Sequence, residues 1–255
     1  MRIAVLPSSN EIATLVADMY SELLAKKPNA VLGLATGSSP VPVYDELVRR
    51  YEAGDISFAD ARAFLLDEYV GLPVDHPEGY RNFIERVFAG RVNFAPDAVV
   101  GPNGQADDVE AAAIEYQERM ESAGWVDLQI LGIGTDGHIA FNEPGGSLTS
   151  PVHTQVLTKQ TREDNARFFD GDISKVPSLA LTQGLETISH AKRIVLVAEG
   201  KQKAEAVAQM VEGGVSALWP ATVLQFHNDV TIMIDERAAS ELKLIDHYRA
   251  VWDAQ

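Results

Sequence analysis

The stretch Leu131-Gly132-Ile133-Gly134-Thr135-Asp136-Gly137-His138-Ile139-Ala140-Phe141-Asn142-Glu143-Pro144 follows a short apolar run and gathers three glycines, an aspartate, a histidine and a glutamate within twelve residues. Glycine costs conformational entropy, so this is a poor composition for a loop that only connects two elements. A histidine flanked by two carboxylates is suited to acid/base work, because a carboxylate partner fixes the imidazole tautomer and tunes its proton affinity. Asp136, His138 and Glu143 are therefore candidate catalytic residues. The same loop also admits a metal site, although one histidine and no cysteine make a thin donor set for zinc, and it admits a solvated polar connection.

A second run, Phe64-Leu65-Leu66-Asp67-Glu68-Tyr69-Val70-Gly71-Leu72-Pro73, places two adjacent carboxylates after an apolar strand. Neighbouring side chains on an extended chain point to opposite faces, so only one of the two can enter a given pocket. Asp67 is the choice, as a general base that carries a proton between adjacent carbons. Helix capping or a surface ion pair would explain the same residues. A third run, Leu32-Gly33-Leu34-Ala35-Thr36-Gly37-Ser38-Ser39-Pro40, reads as a strand entering a Gly/Ser/Thr turn and then a helix. Thr36, Gly37, Ser38 and Ser39 offer amide and hydroxyl donors at the positive end of that helix, a cradle for phosphate. An ordinary capped turn is the alternative.

These residues need a scaffold, and the chain supplies one. It has 255 residues, 46% of them hydrophobic, enough for one large α/β unit over 1–255. Apolar, β-rich runs at 1–6, 30–34, 63–66, 128–132, 194–198 and 230–234 alternate with amphipathic segments at 11–26, 40–51, 107–123, 201–212 and 236–251. The expectation is a single-domain, doubly wound, mostly parallel sheet with helices on both faces, whose ligands bind at strand C-terminal ends. Polar connections at 70–79 and 144–177 are long, and the second is a candidate lid. His76-Pro77-Glu78 reads as a turn entering a helix, with Tyr80 and Arg81 within reach of the site, and Trp219-Pro220 as a packed corner.

Composition narrows the function classes. A net charge of −16 opposes nucleic-acid binding, and a phosphate ligand would need local donors against that field. There is no cysteine, so disulfides, thiolate metal sites and cysteine nucleophiles are excluded. The N-terminal apolar run is too short for a signal peptide, and no stretch approaches the ~20 apolar residues of a membrane span. A cytoplasmic protein with no membrane partner is expected.

Asp67-Glu68-Tyr69-Val70-Gly71-Leu72-Pro73 and the run from Gly134 to Pro144 closely resemble the glucosamine-6-phosphate deaminase family. Supporting similarity runs from Leu32 to Leu47, through Thr161-Arg162-Glu163-Asp164-Asn165-Ala166-Arg167-Phe168-Phe169-Asp170, and past Leu181-Thr182-Gln183-Gly184 to Gln202-Lys203-Ala204, so nearly the whole chain is covered. The 6-phosphogluconolactonases share an Asp-Gly-His loop, but theirs continues with Thr and small residues where this chain has Ile139-Ala140-Phe141-Asn142-Glu143-Pro144. The resemblance implies a hydrolase of carbohydrate metabolism: ring opening, aldose-to-ketose proton transfer and loss of ammonia, from glucosamine 6-phosphate to fructose 6-phosphate. His138 would open the ring, oriented by Asp136 and Glu143, and Asp67 would move the proton between C2 and C1. Phosphate contacts would come from Thr36 to Ser39, Arg167 and Lys203. No cofactor and no metal are implied. A lactonase or a non-catalytic sugar-phosphate sensor of the same fold are the competing readings. The domain suits a monomer or a homo-oligomer equally. In relatives activated by N-acetylglucosamine 6-phosphate, an Arg and a Lys bind the effector phosphate. Those positions read His153 and Gln155 here, which implies that the effector site is weak or absent.

Overall fold

The computed structural model describes residues 1–254. Its elements run β1 (Arg2–Leu6), α1 (Ser9–Lys26), β2 (Val31–Leu34), α2 (Val41–Glu52), β3 (Arg62–Leu65), β4 (Asp67–Tyr69), α3 (Tyr80–Val87), β5 (Val99–Val100), α4 (Val109–Ser122), β6 (Leu128–Leu131), β7 (His153–Val156), α5 (Lys159–Asn165), β8 (Leu179–Thr182), α6 (Leu185–Ser189), β9 (Ile194–Ala198), α7 (Ala204–Glu212), β10 (Val230–Asp235) and α8 (Ile245–Asp253). The main sheet has strand order β1-β10-β9-β6-β2-β3-β5, and all its pairings are parallel. Every residue of β2, β6, β9 and β10 is buried. Continuous apolar strands are what a parallel sheet covered on both faces requires.

Helix α1 shows how the covering layer forms. The Ser8 side chain accepts from Glu11 N at 3.3 Å, capping the first turn, and Ile12, Val16, Tyr20 and Leu24 are buried at helical spacing. Helices α1, α2 and α3 contact one another in series, whereas α4 packs on β7 and β8, and α6 and α7 on the 3-10 turn Pro220–Phe226. This is the doubly wound arrangement expected. Its topological switch falls between β2 and β6: beyond β2 the sheet continues with β3 and β5, beyond β6 with β9, β10 and β1. The Thr36–Ser39 turn leaves β2 and the His138 loop leaves β6, so both candidate loops open into the crevice where such sheets bind ligands.

Two features depart from the sequence reading. A second, three-stranded antiparallel sheet, β4-β8-β7, sits beside the main one and pairs Asp67 with Thr182 and His153 with Thr182. Its strands are three or four residues long and only partly apolar, which hid them. The helix expected over 236–251 begins only at Ile245. Asp235 at the end of β10 accepts from Ala238 N at 2.8 Å and Gly200 N at 2.9 Å, fastening the intervening residues into a turn. Glu212 then caps α8 from outside through Lys243 N and Leu244 N.

Residues 144–177 are also more structured than their composition suggested, holding β7, α5 and two 3-10 turns. They cover a small apolar cluster, separate from the main core, that includes Tyr69, Phe141, Leu157 and Phe169. Gly79 precedes α3, so His76-Pro77-Glu78 is a turn entering a helix, and Trp219 is a half-buried corner leading into Pro220–Phe226.

Candidate active site

A cleft of about 710 Å³ opens at the switch point. Thr36, Gly37, Ser38, Ser39, Asp67, His138, Arg167 and Lys203 all line it, so residues spread over more than half the chain converge on one space. Asp136 and Glu143 do not line the cleft. They lie beside His138, with ligand atoms of the three residues within 4.8 Å of one another.

The histidine loop is shaped by glycine. Gly134 N donates to His138 O at 2.9 Å and Gly137 N to Gly134 O at 3.1 Å, closing a tight turn. A Cβ at Gly134 would overlap the His138 ring and Asp136 Oδ1. Gly137 has φ +81° and packs against Trp219, so a side chain there would be both strained and obstructed. His138 Nδ1 lies 2.7 Å from Asp136 Oδ1. Burial raises the Asp136 carboxyl, but contacts from His138 outweigh it and hold the group down at about 2. Asp136 is therefore the direct partner of the ring. Glu143 instead accepts from Thr158 N at 3.0 Å and Thr158 Oγ1 at 3.4 Å, tying the loop to the N-cap of α5. As a donor set for a metal, the group offers one imidazole already engaged by Asp136 and one carboxylate already engaged by Thr158.

Asp67 and Glu68 divide their work as strand geometry requires. Asp67 is 5% exposed and faces the cleft; burial, with the Glu68 charge adding, pushes its carboxyl well above the usual carboxylate range. Glu68 points away and accepts from Tyr69 N, Tyr80 N and Arg81 N at 2.9 to 3.0 Å, so the helix-capping role belongs to Glu68. Of the two residues within reach, Tyr80 lines the active cleft and Arg81 does not. The end of strand β8 and the residue after it, Gln183, clamp the segments that carry Asp67 and His138. Gln183 donates to Leu65 O at 2.9 Å and from its own N–H to Leu66 O at 2.7 Å. Thr182 Oγ1 accepts from Phe141 N at 3.1 Å, and Asn142 Nδ2 donates to Gln183 O at 2.9 Å.

In the turn that also lines the cleft, Gly37 has φ +101° before α2, a helix led by Pro40 and Pro42. Lys203 is half-buried; burial lowers its ammonium pKa, and Arg167 adds to that while Asp164 and Asp136 oppose it. Arg167 is exposed and lies over the Phe168 ring at 4.7 Å. Its segment is held by Asn165 Nδ2, which donates to Tyr69 Oη at 3.1 Å. Sequence reasoning missed Arg237, Glu199 and Gln202, which also line the cleft. Glu199 immediately follows β9, the same signal that marked Asp67, and could have been found by it, whereas Arg237 stands two residues beyond the end of β10.

Comparison with known proteins gives the family. The glucosamine-6-phosphate isomerases/6-phosphogluconolactonase family pattern matches residues 8–233. The chain belongs to this family. Within it, the chain is 60% identical to a glucosamine-6-phosphate deaminase of Mycolicibacterium smegmatis and to one of Beutenbergia cavernae, covering 100% of this chain and 98% of each relative. A solved structure described as a monomeric glucosamine-6-phosphate deaminase superposes with a TM-score of 0.92 at 42% identity, over 94% of this chain and all of that one. The 6-phosphogluconolactonase of Trypanosoma cruzi shares the fold of this isomerase family, at 20% identity and a TM-score of 0.76 over 95% of this chain and 97% of its own.

Proposed function

We propose that the chain converts glucosamine 6-phosphate and water to fructose 6-phosphate and ammonia. The observation that carries this reading is that a buried carboxyl, Asp67, a carboxylate-held imidazole, His138, and the Thr36–Ser39 turn with Arg167 and Lys203 share one cleft. The 60% identity to deaminases over the full chain supports it.

In this reading the substrate phosphate sits at the Thr36–Ser39 turn, against Arg167 and Lys203. Hydroxyl and amide donors there offset the chain's negative field, and the partly desolvated Lys203 interacts more strongly with the dianion than a solvated lysine would. His138 moves a proton at the ring oxygen and the anomeric hydroxyl to open the hemiacetal, with Asp136 holding Nδ1 so that the other ring nitrogen serves the substrate. Asp67 then takes the proton from C2 and returns it to C1. The ketimine left at C2 adds water and expels ammonia, which balances the reaction without any oxidant or reductant. Burial raises the basicity of Asp67, which suits it to a carbon acid better than an exposed carboxylate. Glu143 acts through position, linking the His138 loop to α5 and so to Arg167. Residues 144–177 act as the lid, and the active unit is the whole chain, working in the cytoplasm beside its phosphorylated substrate. Asp67, His138, Arg167 and Lys203 all belong to one chain, so oligomerisation is not needed to complete the cleft. Among the described residues, no helix is long and apolar enough to cross a membrane.

The test is to incubate the protein with glucosamine 6-phosphate, without added metal or cofactor, and measure both products. Equal formation of ammonia and fructose 6-phosphate is expected. Hydrolysis of 6-phosphogluconolactone with neither product formed would move the chain to the lactonase branch of the family.

A further inference from the structure

Strand β4 is a wall between two clefts. Asp67 faces the active one, and Glu68, pointing the other way, faces a second cleft of about 480 Å³ between the end of β5, the loop around Gly104 and the start of α3. That volume is in the range that holds small-molecule ligands. Two guanidinium groups line it, Arg81 on the first turn of α3 and Arg119 on α4. Neither side chain makes an ion pair or hydrogen bond with another of the described residues. Many of the other arginines are engaged: Arg50, for example, bridges Glu46 and Asp18, and Arg249 holds Glu236.

Two acids share this lining, Glu68 and Asp97, and the Arg81 charge acts on Glu68, but neither acid closes an ion pair with a guanidinium. Both Glu68 oxygens are taken by backbone N–H groups of Tyr69, Tyr80 and Arg81, and Asp97 stands exposed at the rim with φ +59°. Because Glu68 also occupies the free amides at the start of α3, positive charge in the cleft comes from the guanidinium forks and not from the helix end. Two exposed guanidinium forks that make no direct ion pair, lining one concave space in a chain of net charge −16, form a site that recruits a compact anion with several acceptor oxygens. We infer that this cleft is a second phosphate site, distinct from the active cleft, that takes inorganic phosphate or the phosphate group of a small metabolite. Its occupant would also touch the active site indirectly. Arg81 N and Tyr80 N hang on the same Glu68 carboxylate, and Tyr80 lines the active cleft, with its Oη donating to Tyr69 Oη at 3.1 Å.

The experiment is an NMR titration of the backbone amides of Asn103, Gly104 and Gln105 with inorganic phosphate, at ionic strength held constant with chloride. A Lys203→Gln background weakens phosphate binding in the active cleft, and these three amides lie on the far side of β4 from it. Saturable shifts are expected, and they are expected to disappear in Arg81→Gln/Arg119→Gln. A parallel titration with a hexose 6-phosphate separates the sources: saturation at lower concentration than inorganic phosphate assigns a metabolite, and equal or weaker binding assigns free phosphate. Linear, non-saturating drift with both ligands would overturn the proposal, as would saturable shifts that persist at full size in a folded Arg81→Gln/Arg119→Gln variant.

Discussion

Oδ1 of Asp136 stands 2.7 Å from Nδ1 of His138, while the third member of that cluster, Glu143, is bound to Thr158 instead. The two carboxylates that flank the histidine in sequence therefore do different things: one holds the ring and the other holds the loop. Asp136→Asn should remove the carboxylate charge that stands beside Nδ1 and with it the preference for the tautomer that leaves the other ring nitrogen free to accept. We predict a kcat loss of about 10²- to 10⁴-fold with little change in phosphate binding. Steady-state kinetics and inhibition by inorganic phosphate check it; an unchanged kcat would remove Asp136 from its orienting role.

Asp67 makes a prediction about pH. Its carboxyl is raised in the folded protein, mainly by burial, so the folded state holds the proton more tightly than the unfolded chain does. The stability this contributes is fully present below the unfolded value of about 3.9 and is lost as pH rises through the higher folded value. Asp67→Asn should accordingly melt at a higher temperature than the parent near pH 8, and the gap should close on acidification. Thermal melts across pH 4 to 8 give the answer. The same raised carboxyl should set the acid limb of kcat/KM above the ordinary carboxylate range, since the base must be ionised to work.

Lys203 is a half-buried cation in the cleft lining and, in the proposed function, a phosphate contact. Replacing it with glutamine removes a charge-assisted contact worth about 1.5 to 3 kcal/mol. The expected result is a KM for glucosamine 6-phosphate raised about 10- to 100-fold, with kcat much less affected. A kcat loss at unchanged KM would show that Lys203 acts in chemistry and not in phosphate binding.

His153 and Gln155 lie on β7, where His153 Nδ1 meets Pro151 O at 2.8 Å and Nε2 meets Gln155 Oε1 at 3.3 Å. The two side chains engage each other and the local backbone, and neither carries a fixed positive charge for an effector phosphate. Substrate saturation should be hyperbolic, and N-acetylglucosamine 6-phosphate should leave it unchanged. A sigmoidal curve that the effector straightens would contradict this.

Thr182 joins the segments that carry Asp67 and His138, being paired with Asp67 across the small sheet and accepting from Phe141 N. Thr182→Val keeps the shape but leaves that buried N–H without a partner, at a cost of about 1 to 3 kcal/mol. Denaturant unfolding should show a loss in that range, and turnover should fall with it as the loops lose their common anchor.

The parallel sheet was legible because each of its six long strands is a mostly apolar run ended by Gly, Pro or charge, and the amphipathic helices between them repeat every three to four residues. Asp67, His138 and the Thr36–Ser39 turn were legible for a related reason: each follows such a run with residues that are costly in a plain loop. What escaped was built from short or local signals. Strands β4, β7 and β8 are only three or four residues long, and β7 has no buried residue to give it a period. The late start of α8 after β10 goes with a turn in which Asp235 reaches Gly200, a contact across 35 residues that no local pattern announces. The division between Asp136 and Glu143 is likewise a matter of distances, and so is the role of Glu68 as the cap of α3.

The central claim is that Asp67 is the base that moves the proton between C2 and C1. Its most direct test is ammonia release from glucosamine 6-phosphate by Asp67→Asn, measured beside inorganic-phosphate binding to the same sample. Intact phosphate binding with turnover reduced by about 10²-fold or more is predicted; a variant that releases ammonia at the parent rate would contradict the assignment.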